Sequence, residues 1–256
     1  MVPQHRYVFV TGLHRTGTSL LARMIASHPE ISGISGAPVP ENEGCYLQGA
    51  IPHTAQDGIP GVFATDPLQR MDETHPLNTL ATKQRYEAEL EPWFDPGGVW
   101  RIEKSPVNLA KMRLLQGLFP LSQFVVIVRH PSFMAAATAK WSDKPQSQLT
   151  SYGIMAYRLL LKDLQFLHAA LVLRYEDLIA APHRYAGAIT AFLALEPGMV
   201  CETMRNGNAD YPADDDNPAS LPEFGYAPNG MVQPWEPIVR HPLRAITEAV
   251  RRALEA

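Results

Sequence analysis

Eight residues near the start of the chain, Gly12-Leu13-His14-Arg15-Thr16-Gly17-Thr18-Ser19, constrain its fold most tightly. They follow the apolar, β-branched and aromatic run Tyr7-Val8-Phe9-Val10, which reads as a buried strand. Thr18 to His28 then places Leu20, Leu21, Met24 and Ile25 at helical spacing until Pro29 stops it. A glycine loop between strand and helix turns consecutive backbone N–H groups inward, and the helix start adds partial positive charge. With the Thr18 and Ser19 hydroxyls at the same place, the segment predicts a cradle for a phosphate-like anion.

The rest of the chain alternates in the same way. Leu77 to Phe94 predicts a helix, Val99 to Ile102 a strand, and Pro106 opens a helix to about Leu118. Phe124-Val125-Val126-Ile127-Val128 is the strongest strand and reads as buried on both faces. Ser132 is placed to cap a helix to about Trp141, and Leu149 to Leu167 forms a longer amphipathic one. Leu171-Val172-Leu173 is a short strand, His183 to Leu195 a helix, and Arg240 opens a charged C-terminal helix. Such alternation predicts one α/β domain over 1–256, a central parallel sheet between two helical layers. The chain holds 23 prolines, about 9% against the usual 5% or so, concentrated between Pro29 and Pro67 and between Pro197 and Pro242. Asn206 to Pro237 has little periodicity, as functional loops often do.

A formal charge of −4 gives no basic excess for nucleic acid or an anionic membrane. No apolar run approaches the roughly 18 residues of a membrane span, and Met1 to Thr11 lacks the features of a secretory signal. Cys45 and Cys201 lie far apart and are expected to stay reduced, so the expectation is a cytoplasmic protein. His14 and His28 show no metal-ligand spacing, and Asp214-Asp215-Asp216 reads as a solvated acidic run. No metal site is expected.

The loop is close to the Walker A pattern Gly-x-x-x-x-Gly-Lys-Ser/Thr, so the domain is expected to be P-loop-like. Thr18, however, occupies the lysine position and the charge sits at Arg15. A Walker lysine and a strand-end Asp for Mg²⁺ serve a polyphosphate. A sulfuryl group carries less charge than a phosphoryl group, so arginine, lysine and backbone amides can suffice. The missing lysine counts against an ATP-dependent small-molecule kinase.

The loop with Arg15, the segment Glu103-Lys104-Ser105-Pro106, and Val128-Arg129-His130-Pro131 together resemble the sulfotransferases that use 3′-phosphoadenosine-5′-phosphosulfate (PAPS). The likeness is to their bacterial and tyrosylprotein-type branch, with Arg174-Tyr175-Glu176-Asp177-Leu178 similar to another recurrent segment, and it spans about Tyr7 to Leu195. It implies sulfuryl transfer from PAPS to a hydroxyl on a small molecule, glycan, lipid or peptide, leaving 3′-phosphoadenosine-5′-phosphate.

The resemblance also implies roles. Gly12, Arg15, Thr16, Gly17, Thr18 and Ser19 bind the 5′-phosphosulfate, and Arg15 stabilises charge on the bridging oxygen. Lys104 is the second cation at the sulfuryl centre. Arg129 grips the 3′-phosphate together with a serine eight residues on, a position held here by Ala137, so Thr138 or Ser132 would supply the hydroxyl. The base is a Glu in the loop after the first helix, here Glu41 or Glu43, with Glu43 preferred because Gly44 permits close approach of a substrate. His53 is a third candidate. Apart from the resemblance, Trp93, Trp100, Trp141 and Trp235 read mainly as core residues, with flanking of the nucleotide by Trp141 or Tyr175 as the alternative, and the acceptor pocket is expected to come from 37–67 and 206–237. A catalytically dead nucleotide-binding protein is the other reading, opposed by the presence of both Arg15 and Lys104.

Overall fold

The computed structural model describes residues 5–54, 60–201, 203–211 and 219–255. The acidic run Asp214 to Asp216 lies outside them. Strands β1 (Arg6–Gly12), β2 (Ile31–Ser32), β3 (Trp100–Lys104), β4 (Gln123–Val128), β5 (Ala170–Arg174) and β6 (Ile238–Arg240) form one sheet in the order β2-β3-β1-β4-β5-β6. The first five strands run parallel, and β6 pairs antiparallel with β5. The central sheet is thus parallel as expected, with one antiparallel strand added at its edge. The chain comes to β6 from the carboxyl edge, where Phe224 and Gln233 carbonyls accept from Arg174 Nη1, so it can only run back down.

Alternation along the strands divides the interior into two layers. Tyr7, Phe9, Phe124, Val126, Val128 and Val172 face one side, packed by α3 (Met112–Leu118), α5 (Gln146–Asp163) and part of α2 (Leu80–Leu90). Val8, Val10, Ile102, Val125, Ile127 and Leu173 face the other, packed by α1 (Thr18–Ala26), α7 (Pro182–Phe192) and α8 (Arg244–Glu255). Both faces of β4 and most of β5 are apolar, as strands covered on both sides require.

Four elements differ from expectation, each for a local reason. β3 runs on to Lys104 because Glu103 and Lys104 find buried partners. Pro106 opens a 3₁₀ turn, Pro106–Ala110, before α3. Helix α4 (Pro131–Thr138) is capped by His130, whose Nδ1 accepts from the Ser132 N–H at 3.2 Å, and not by Ser132. Residues 238–240 are used in β6, so α8 starts later. A short helix not read from the sequence, α6 (Tyr175–Ala180), follows β5 directly. Both cysteines are free thiols, and among the described residues no helix is long and apolar enough to cross a membrane.

Candidate active site

The carboxyl ends of β1, β3 and β4 carry the site. After β1 the chain turns through Arg15 (φ 67°) and Gly17 (φ 100°) before α1 begins. A Cβ at Gly12 would come within 2.4 Å of the Ile127 carbonyl oxygen, and one at Gly17 within 2.8 Å of Tyr175 Cδ2, so both glycines are needed. The Thr16 hydroxyl donates to the Leu13 carbonyl at 2.7 Å and so braces the loop from inside. No side chain caps α1, which leaves the N–H groups at its start directed into the loop. Thr18 and Ser19 line the resulting cleft. Arg15 is exposed, its guanidinium 4.5 Å from the ring centre of Trp141.

At β3 the strand end and the 41–45 loop lock together with alternating side chains. Lys104 Nζ donates to Glu43 Oε1 at 2.9 Å, and both side chains are buried. Pointing the other way, Glu103 is fully buried, accepting from Ser105 Oγ at 2.5 Å and from Asn108 Nδ2. Ser105 Oγ in turn accepts from the Cys45 N–H at 3.0 Å. Gly44 lies against this knot: a Cβ there would sit 2.6 Å from Glu103 Oε1. The glycine thus admits the neighbouring strand, where close approach of a substrate was expected. Burial pushes the Glu43 carboxyl above its ordinary range, against the opposing pull of Lys104. It raises Glu103 to about 7. Glu41 and Asn42 both take left-handed backbone (φ 52° and 51°), which turns the exposed Glu41 onto the cleft wall. His53 packs its ring edge-on to Tyr46 and does not line the cleft.

Arg129 follows β4 and is almost fully buried. Its Nε donates to Asn208 Oδ1 at 2.7 Å and its Nη1 to the Arg15 carbonyl at 2.8 Å, while Nη2 is buried with no partner. Its guanidinium lies 4.7 Å from the Tyr175 ring centre and 5.7 Å from that of Tyr211. Glu176 holds the surroundings in place, accepting from the His130 N–H, Asn208 Nδ2 and Tyr226 hydroxyl at 3.0–3.1 Å. The Tyr175 hydroxyl accepts from the Gly207 N–H at 2.8 Å.

These groups surround a cleft of about 550 Å³. Arg15, Gly17, Thr18, Ser19, Glu41, Glu43, Arg129, Trp141 and Tyr175 all line it. Gly12 and Thr16 lie beneath the loop as its brace, and Lys104 reaches the cleft through Glu43. Ala137 and Thr138 do not line it, and the Thr138 hydroxyl is used within α4, donating to the Met134 carbonyl at 2.8 Å. Ser132 Oγ is buried without a partner. His14 also lines the cleft, and burial, with Lys104 nearby, lowers its pKa to about 4, so it is neutral. Sequence reasoning did not single out Gly207, Asn208, Asp210 or Tyr211, although the aperiodic stretch holding them was expected to build part of a pocket. Pro60 and Glu41 supply the matching wall from the first proline-rich tract.

A family model described as "Sulfotransferase family" matches residues 7–197. A solved sulfotransferase from Alicyclobacillus acidocaldarius superimposes with a TM-score of 0.52 at 16% identity, covering 79% of this chain and 86% of that one. A second, from Mycobacterium tuberculosis H37Rv, gives a TM-score of 0.51 at 17% identity, covering 82% and 71%. At such identities the two structures speak for the fold alone. No protein of curated function is a significant match to the sequence.

Proposed function

The chain belongs to the sulfotransferase family, and from that premise we propose that it transfers the sulfuryl group of PAPS to a hydroxyl acceptor. The observation that supports the donor is the pairing of two anion sites at adjacent strand ends. The Gly12–Ser19 cradle suits the 5′-phosphosulfate. Arg129, which lines the same cleft and has a buried, unpartnered Nη2, suits a second anion, the 3′-phosphate. Buried polar atoms of this kind are costly unless a ligand completes them. Trp141, Tyr175 and Tyr211 offer aromatic faces for the nucleoside.

In this reading Glu43 is the general base. It takes the proton of the acceptor hydroxyl as the acceptor oxygen forms its bond to sulfur. The bond from sulfur to the bridging phosphate oxygen breaks, and 3′-phosphoadenosine-5′-phosphate leaves. Lys104 keeps Glu43 ionised despite burial and stands beside the sulfuryl oxygens, while Arg15 meets the charge that collects on the leaving oxygen. Glu41, exposed at the rim, borders the acceptor. Incubating the protein with PAPS and a panel of alcohols, phenols, sugars and hydroxyl-bearing peptides tests this directly. Sulfated acceptor should form in step with 3′-phosphoadenosine-5′-phosphate. Nucleotide binding with no transfer to any acceptor would favour a non-catalytic protein.

A further inference from the structure

A second cavity, of about 160 Å³, opens from the same corner and shares Ser19, Arg23 and Glu41 with the main cleft. Its polarity is graded. Ser19, Glu41 and Lys104 stand at the end nearest the reacting groups, Arg23 and Asn42 add two more polar side chains, and Ala22, Ala26, Ile34 and Ile102 give an aliphatic wall. Along α1 the wall from Ser19 to Ala26 descends about 10 Å. Opposite, Ile102 and Lys104 are two apart on β3 and so face the same side. Gly33 keeps the far end open: a Cβ there would already touch Ala26 Cβ at 3.4 Å and Ile102 Cγ2 at 3.8 Å.

The two cavities differ in chemistry. The aromatic side chains Trp141, Tyr175 and Tyr211 line the main cleft, whereas no aromatic residue lines the smaller slot. A flat base suits the first. The second is narrow and walled by the aliphatic side chains of Ala22, Ala26, Ile34 and Ile102, against which the hydroxyls of a buried sugar would be left unpaired at considerable cost. Resting on the transfer reaction proposed above, we infer that this slot holds the hydrocarbon chain of an aliphatic alcohol. The alcohol's hydroxyl then emerges beside Lys104, whose Nζ holds Glu43 at 2.9 Å.

The test uses PAPS with the linear primary alcohols from ethanol to decanol. For the intact protein kcat/KM should rise about fourfold per methylene until the slot is full, and then level off. Ala22→Leu and Ala26→Leu, which narrow the slot with good helix formers, should bring the levelling to shorter chains. Both should keep the thermal shift caused by 3′-phosphoadenosine-5′-phosphate. A rate independent of chain length, or variants with the chain-length profile of the parent, would overturn the inference. So would loss of the nucleotide's thermal shift in the variants, which would assign the slot to the nucleotide. If no alcohol is sulfated while the nucleotide still binds and another acceptor is turned over, the acceptor class is wrong and the reaction stands. If the nucleotide does not bind and PAPS is not turned over, the reaction falls and the slot assignment with it.

Discussion

Arg129 Nη1 donates to the main-chain carbonyl of Arg15 at 2.8 Å, so the cation at the end of β4 holds the phosphate loop at the end of β1. The bond fixes the two proposed anion sites relative to each other. Asn208, on Nε, orients the same guanidinium, leaving Nη2 free to point at a ligand. Pre-set donors of this sort act on developing charge without reorganising.

Removing either cation of the proposed transfer centre should cripple turnover in a folded protein. Arg15→Ala and Lys104→Ala are each expected to lower kcat by roughly 100- to 1,000-fold. Steady-state kinetics with circular dichroism as a folding control would check this. Near-normal kcat in either folded variant would remove that residue from the mechanism.

The two loop glutamates should behave differently. Glu43 is buried against Lys104, whereas Glu41 is exposed. Glu43→Gln should cost about 100-fold or more in kcat, and Glu41→Gln much less. Glu43→Ala strands a buried ammonium and should destabilise by about 3 kcal/mol, against roughly 0.5 kcal/mol or less for Glu41→Ala. Chemical denaturation measures both. Equal effects at the two positions would contradict the assignment.

Two carboxyl groups give pH signatures of different kinds. Burial raises Glu43, so as a base it is lost at a higher pH than an ordinary carboxylate. The acid limb of kcat should therefore fall above the usual 4.5, and Glu43→Gln should abolish it. Glu103 moves from an ordinary value of 4.5 to about 7 on folding. The folded state binds its proton more tightly, so this contribution to stability is complete below pH 4.5 and disappears as the pH rises to about 7. In Glu103→Gln the melting temperature should vary less with pH across that window. An unchanged profile would sink the assignment.

Much of this was legible in the sequence, for physical reasons that differ by residue. The Gly12–Ser19 cradle reads directly because two glycines, a strand and a helix are local features with few alternative uses. Arg129 was equally visible as a charge after the most apolar strand. Its partners were not, because Asn208 and Tyr211 come from an aperiodic segment that only tertiary packing brings to β4. Thr138 illustrates the opposite error. It lies one residue from the expected serine position, but its hydroxyl is satisfied by the Met134 carbonyl four residues back in its own helix. Gly44 drew attention for its backbone freedom, yet the reason for it is Glu103, far away in sequence and fully buried. The antiparallel direction of β6 could not be read locally either, since the route of the preceding loop across the carboxyl edge sets it.

The central claim, two anion sites held in register by Arg129, is tested most directly by thermal unfolding with paired nucleotides. At about 100 times its Kd, 3′-phosphoadenosine-5′-phosphate should stabilise the protein by roughly 2.7 kcal/mol. For a chain of this length that is a rise in Tm of about 5–10 °C. Adenosine 5′-monophosphate, which reaches only the cradle, should give much less, and Arg129→Ala should erase most of the difference between them. A larger shift with Mg-ATP than with the bisphosphate, or no shift with any of these nucleotides, would contradict the account.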